Sequence, residues 1–158
     1  MVLNALEMDP GRTWKGVWRW YSDDMLECCS PLDEIKKKGI TFDQFTCLAM
    51  CHELAVEPQR YRSDGYQKFL LDLKRTSRES GVHMVVSFDR QTLGQTGVGH
   101  FSPIGGYHEA SGKVLVLDVA RFKYPSYWVE SELLWRAMDP IDTDTGLSRG
   151  YHMLTKRQ

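Results

Sequence analysis

Apolar residues recur along this chain with two different periods, first helical and later alternating. Behind Thr41-Phe42-Asp43-Gln44, residues Phe45, Leu48, Ala49 and His52 fall on one side of a helix. The opening four form a capping box, in which threonine oxygen and glutamine side chain satisfy backbone donors that a helix start leaves orphaned. Behind Asp64-Gly65, Tyr66, Phe69, Leu70 and Leu73 form a second apolar stripe at the same spacing, read as core. Arg75 to Ser80 reads as a polar connection. Val82 to Phe88 is β-branched and predicts a strand, and a loop over Asp89 to Gln95 leads to Gly97-Val98-Gly99-His100-Phe101-Ser102-Pro103-Ile104-Gly105-Gly106-Tyr107. With Lys113 to Arg121 across a turn at Glu109-Ala110-Ser111-Gly112, that run predicts an antiparallel hairpin. Glu130 to Met138 predicts a helix stopped before Pro140, and Tyr151 to Thr155 a last strand. Shorter signals are a helical stretch from Met1 to Leu6 closed by Asp9-Pro10-Gly11, and a helix from Pro31 to Lys38 ahead of Gly39. Asp142-Thr143-Asp144-Thr145-Gly146 lacks the later ligands of a calcium loop and reads as a surface turn. Helices first and an antiparallel sheet later indicate an α+β fold.

The hairpin carries the candidate chemistry. If it is centred on Glu109, Asp118 lies directly opposite His100; if on Ala110, it lies diagonally on the same face. A centre midway between them sends Asp118 to the other face, because side chains alternate along a strand. In either of the first two registers the carboxylate can fix the tautomer of the imidazole and leave its second nitrogen to exchange a proton with a nucleophile.

Composition narrows the function by exclusion. The 158 residues suit one domain, with 42% hydrophobic and 26% charged residues, enough to bury a core. Twenty basic and 21 acidic residues leave a formal net charge of -1, which gives no global field for nucleic acid or an anionic membrane. No apolar run spans a bilayer and Met1-Val2-Leu3-Asn4 is not a signal peptide start, so a cytoplasmic protein is expected. There are no internal repeats and no phosphate-binding glycine loop, so nucleotide chemistry and an organic cofactor are not expected. Trp14, Trp18, Trp20 and Tyr21 read as core or a pocket wall. The four cysteines, Cys28, Cys29, Cys47 and Cys51, are expected to be reduced rather than disulfide-bonded. They read as buried core ahead of metal ligands: soft divalent metals favour thiolates, but adjacent Cys28 and Cys29 bind one ion only if the backbone bends.

Gly99-His100-Phe101-Ser102-Pro103-Ile104-Gly105-Gly106-Tyr107-His108 and Leu117-Asp118-Val119-Ala120-Arg121-Phe122-Lys123-Tyr124-Pro125 resemble the phytochelatin synthase family. The resemblance continues through Trp14 to Trp20, Met25 to Cys29 and Leu134 to Asp139, and so covers nearly the whole chain. It implies a papain-like cysteine-peptidase fold, with a helical N-terminal lobe and an antiparallel sheet lobe, over one catalytic domain at 1–158. It also implies a Cys-His-Asp triad whose last two members are His100 and Asp118. The family's nucleophile falls a few residues before Met1, so the chain is expected to be incomplete at its N-terminus, to lack the variable C-terminal region, and to be inactive alone. The activity implied is a γ-glutamylcysteine dipeptidyl transpeptidase making phytochelatins from glutathione. A heavy-metal ion, cadmium or zinc, is the expected activator, acting as metal-glutathione thiolate. The family has cysteines at all four matching places, which raises the metal reading for Cys28, Cys29, Cys47 and Cys51. Glutathione carries two carboxylates, so Arg121, Lys123 and Tyr124, with Arg90 as a second anchor, are expected to bind substrate. Glutathione and phytochelatins are the expected partners. The rival readings are a non-catalytic metal-binding module and an inactive fragment.

Overall fold

The computed structural model describes all of residues 1–158. In chain order the helices are α1 (Val2–Ala5), α2 (Leu32–Lys38), α3 (Phe42–Cys51), α4 (Tyr66–Arg78) and α5 (Ser131–Arg136). The strands are β1 (Leu54–Arg60), β2 (Val82–Asp89), β3 (Gly99–His108), β4 (Lys113–Val116), β5 (Tyr127–Glu130), the short pair β6 (Ile141–Asp142) and β7 (Leu147–Ser148), and β8 (Gly150–Lys156). Six strands form one sheet in the order β1-β8-β2-β3-β4-β5, every neighbour antiparallel. The fold is therefore α+β, as expected. No helix is long and apolar enough to cross a membrane.

The sheet is covered on both faces, and strand alternation decides which residue belongs to which. Met84, Val86 and Phe88 of β2, with Val114 and Val116 of β4, join Phe69 and Leu73 of α4 and Leu134 and Trp135 of α5 in the larger core. Val85 of β2 and Leu154 of β8 face the other way, onto Leu6, Ala49 and Leu54, with α1 and Phe45 packed around them. The α3 capping box is formed, Thr41 Oγ1 accepting from Gln44 N and Gln44 Oε1 from Thr41 N.

Two expectations are corrected. Helix α4 runs on through Arg75 to Arg78, because Thr76 and Ser77 turn their hydroxyls onto Val82 and Leu73 carbonyls instead of leaving the helix. The tryptophans are not core: Trp14 is 52% exposed, Trp18 70% and Trp20 52%. They sit on a tight excursion closed by Trp14 N donating to Trp18 O at 2.7 Å around Gly16, whose φ of 59° suits glycine alone, and it turns the rings outward. The surface turn at 142–146 is present, but it joins the ladder of β6 and β7. Strand β1 was not anticipated at all: its Pro58 is tolerated because β1 is an edge strand, paired only with β8.

Candidate active site

Strand β3 ends nearest the turn in a register centred between Ala110 and Ser111: His108 faces Lys113, Tyr107 faces Val114 and Gly106 faces Leu115. Continued unchanged, that register would set Asp118 opposite Pro103 and away from His100. A bulge between Ile104 and Gly106 prevents this, since Ile104 pairs with Val116. The extra residue moves the register by one, and Leu117 N donates to Pro103 O at 3.0 Å. Asp118 then falls diagonal to His100 on the same face, the register centred on Ala110. Bulges of this kind re-aim side chains at the cost of one ladder position. The bulge needs a glycine: a Cβ at Gly105 would lie 2.8 Å from Leu117 Cδ2.

His100 Nε2 and Asp118 Oδ1 are 3.0 Å apart. The His100 side chain keeps 17% exposure and Asp118 none, and no protein group bonds His100 Nδ1. Asp118 is further held by Arg90, whose Nη1 donates to Oδ2 and Nη2 to Oδ1, both at 2.9 Å, and by the Ala120 N–H at 2.9 Å. With His100, three contacts fall on Oδ1 and one on Oδ2. An ionised carboxylate can only accept, so the imidazole proton resides on Nε2 and Nδ1 presents a lone pair. Arg90 is itself fixed by Gln95 Oε1 at 2.6 Å and lies with its guanidinium 4.8 Å from the Tyr124 ring.

Burial alone would raise the Asp118 pKa, but the hydrogen bonds from Arg90 and Ala120, with the charges of His100 and Arg90, outweigh it and hold it below its usual value. His100 moves down as well, first because it is buried and then because the Arg90 cation stands behind the carboxylate. The pull of Asp118 opposes both and does not overcome them. Arg90 thus screens the carboxylate from the imidazole, leaving His100 neutral and able to take a proton.

The remaining sequence-named residues are distributed as follows. Arg90, expected at the mouth, is 4% exposed in its side chain and turned onto Asp118. Tyr124 Oη accepts from Thr96 N at 2.8 Å and lies 3.1 Å from Thr96 Oγ1, and Lys123 Nζ donates to Thr96 O at 2.7 Å. These contacts lace the 94–98 loop to the segment after Asp118. Arg121 is exposed. The sequence reading missed Arg149, which is 5% exposed and places its Nε 3.2 Å from where a Cβ of Gly99 would be. Of the two buried arginines, Arg90 has an acidic partner and Arg149 has none. Its Nη1 reaches only the Pro140 carbonyl, at 2.5 Å. A basic residue between Ser148 and Gly150 carries no sequence signal for this, because its neighbours come from β3.

The cysteines differ from the expectation on both counts. Cys28 is disulfide-bonded to Cys51, and Cys29 to Cys47, and none of the four is buried. The expectation of reduced thiols concerned the redox compartment, whereas pairing is decided by the fold. The chain bends at Cys28 to Ser30 and turns both neighbouring sulfurs onto the face of α3 that carries Cys47 and Cys51. The sulfurs of Cys28, Cys29 and Cys51 all lie within 4.8 Å of one another.

A family model described as phytochelatin synthase matches residues 1–151. The chain is 51% identical over 156 residues to glutathione gamma-glutamylcysteinyltransferase 3 of Lotus japonicus, covering 99% of this chain and 33% of that protein. It is 48% identical to glutathione gamma-glutamylcysteinyltransferase of Schizosaccharomyces pombe, covering 98% of this chain and 37% of that protein. It is 50% identical to glutathione gamma-glutamylcysteinyltransferase 1 of Arabidopsis thaliana, covering 99% and 32%. The chain spans about a third of the length of these relatives.

Proposed function

The chain belongs to the phytochelatin synthase family, and on that footing we propose that its residues form the histidine and aspartate part of a papain-like site for thiol-mediated acyl transfer on glutathione. The observation that carries the reading is the His100 to Asp118 contact at 3.0 Å with Nδ1 left free. All four cysteines are bonded to one another, so the attacking thiol in this proposal comes from a cysteine outside these 158 residues. His100 Nδ1 takes its proton, and the thiolate attacks the cysteinyl-glycine carbonyl. The imidazolium then protonates the departing glycine amine, leaving γ-glutamylcysteine as a thioester. In the second half His100 deprotonates the incoming amine of another glutathione, or of a growing phytochelatin, which attacks the thioester and restores the thiol. Asp118 orients the ring and steadies its positive form throughout; ionised and paired with Arg90, it takes no proton itself.

Glutathione's carboxylates need cations near the reacting carbonyl. Arg149, buried beside Gly99 without an acidic partner, supports the role of inner anchor, and Arg121 and Lys123 are assigned to the rim. Arg90, whose sequence position suggested a substrate anchor, is assigned in this proposal to holding Asp118, to which both of its Nη atoms donate. A heavy-metal ion enters the proposal as activator, carried in as the thiolate complex of glutathione, in a cytoplasmic setting. A substrate with its thiol blocked, S-methylglutathione, is then expected to react without metal.

The reading is tested by Asp118→Asn in a form of the chain extended through the nucleophilic cysteine, assayed for phytochelatin formation. Loss of the oriented tautomer should lower kcat by on the order of 10³–10⁴. A variant within about threefold of the parent would remove Asp118 from the mechanism.

A further inference from the structure

We propose that Gln95 is a positioning residue for His100: as an uncharged acceptor it aligns the Arg90 cation on Asp118 without cancelling its charge, and Tyr127 braces the Gln95 amide from behind. The catalytic consequence rests on the acyl-transfer reading; the effect on the His100 ring itself does not.

The amide can face Arg90 in only one way. A guanidinium has donors and no acceptor, so the Gln95 atom 2.6 Å from Arg90 Nη1 is the carbonyl oxygen, Oε1. Nη1 then has both hydrogens in use, one on Gln95 Oε1 and one on Asp118 Oδ2, while Nη2 bonds Asp118 Oδ1. Gln95 thereby fixes the plane of the guanidinium that makes the two-point contact with the carboxylate. The backbone fixes Gln95 in turn: its N–H donates to Arg90 O at 3.0 Å, and Arg90 N donates to Val98 O at 2.9 Å, folding the loop back on the arginine.

With its oxygen committed, Gln95 turns its NH₂ away from Arg90, and that group needs an acceptor. Tyr127 Oη is buried without a hydrogen-bonded partner. Burial pushes the Tyr127 phenol up, and the Gln95 side chain is the first influence pulling it back down. A downward pull is the sign of an amide N–H donating toward the phenol oxygen. A buried acceptor without a donor thus stands beside a donor without an acceptor, and each answers the other.

Charge explains why an amide serves here and a carboxylate would not. The charged groups acting on His100 are Arg90, Asp118 and Lys123. From β2 it meets the Phe88 ring edge-on at 5.8 Å, and Arg149, between β7 and β8, stands beside Gly99. Of these groups Gln95 bonds Arg90, whose charge is, after burial, the next cause holding His100 below its ordinary value. A glutamate at 95 would make the same bond but give Arg90 a second anion, and so offset the field that Arg90 exerts on the imidazole. The neutral amide makes the bond and leaves that field whole.

The test is an NMR titration of the His100 ring in the 158-residue chain, wild type beside Gln95→Glu and Thr96→Val. Gln95→Glu keeps the shape and the acceptor but adds a charge, and should raise the His100 pKa by about half a pH unit or more. Thr96→Val loosens the same loop at its Tyr124 contact and should leave His100 within about 0.2 pH unit of wild type. An unmoved His100 in Gln95→Glu, or an equal rise in Thr96→Val, would overturn the proposal. In the chain extended through the nucleophilic cysteine, the acid limb of kcat/KM for phytochelatin formation should move up with the His100 pKa in Gln95→Glu. Gln95→Met, which lacks the acceptor and adds no charge, should lower kcat about tenfold with KM within about twofold. Full kcat in Gln95→Met would overturn the positioning role even if the glutamate variant fails to fold. His100→Ala keeps the two failures apart: full activity there sinks the acyl-transfer reading, whereas lost activity there with an unmoved acid limb in Gln95→Glu sinks the Gln95 proposal alone.

Discussion

Replacing Arg90 by glutamine probes how the site is held together. In the wild type, Arg90 gives two charge-assisted hydrogen bonds of 2.9 Å to a carboxylate whose side chain has no exposure. Removing one partner of a buried ion pair costs about 3–5 kcal/mol, because the charge left behind is uncompensated. Here His100 and the Ala120 N–H remain on Asp118, which sets the expectation at the lower end, about 3 kcal/mol. For a chain of this size 1 kcal/mol shifts Tm by about 2–4 °C, so Arg90→Gln should melt about 6–12 °C lower. A second consequence separates this reasoning from simple loss of packing. After burial, the Arg90 charge is the next influence holding His100 below its ordinary value; without it the Asp118 charge acts unscreened and His100 must titrate at higher pH. Stability linked to His100 follows the same sign. In the wild type the unfolded chain takes up this proton before the folded one does, so stability is lost as pH falls from about 6.5 toward the depressed folded value, and the variant should lose less of it there. Thermal unfolding by circular dichroism and an NMR titration of the His100 ring measure the two effects. A Tm within about 2 °C of wild type together with an unmoved His100 titration would refute the coupling of Arg90, Asp118 and His100.

Three further outcomes are expected. Burial pushes His152 down from 6.5 to about 4, so stability should be full above pH 6.5 and fall by on the order of 3 kcal/mol as pH drops to about 4; urea titrations across that range should show this slope in wild type and lose it in His152→Gln. Gly150→Ala would drive a Cβ into the Gln59 carbonyl and to 2.7 Å from Arg60 Cα, a backbone clash that nothing flexible relieves, and should cost about 3 kcal/mol or more with lost hydrogen-exchange protection across β1. Arg149→Lys in the extended chain should raise KM for glutathione at least about tenfold, roughly 1.4 kcal/mol, with kcat little changed; an unaltered KM would remove Arg149 as a carboxylate anchor.

What could be read in the sequence was local. The capping box of α3, the apolar stripe of α4 and the β-branched run of β2 each declare themselves within a dozen residues, and all three stand. The meeting of His100 with Asp118 was legible as one of two registers, because both residues ride one hairpin. The bulge at Gly105 that selects between them was not, since its cause is the approach of Leu117 across the sheet. Arg90 was named for its position near a loop mouth, but its partner Asp118 is 28 residues away and nothing local links them. Arg149 and the cysteine pairing were hidden for the same reason, being contacts between distant segments. The tryptophans misled differently: ring size predicts burial on average, yet the turn at Gly16 that carries them stands off the core.

The central claim is that His100 is the proton-transfer residue of a thiol acyltransferase site. It is tested most directly by comparing three proteins with glutathione and Cd²⁺: the 158-residue chain, the chain extended through the nucleophilic cysteine that the family resemblance places upstream, and that extended chain carrying His100→Ala. Trapped γ-glutamylcysteinyl thioester is read by intact mass, and phytochelatin by chromatography. The extended chain should form both; the 158-residue chain and the His100→Ala variant should form neither above a background lower by on the order of 10³. Thioester and product at undiminished rate in His100→Ala, or in the 158 residues alone, would contradict the account.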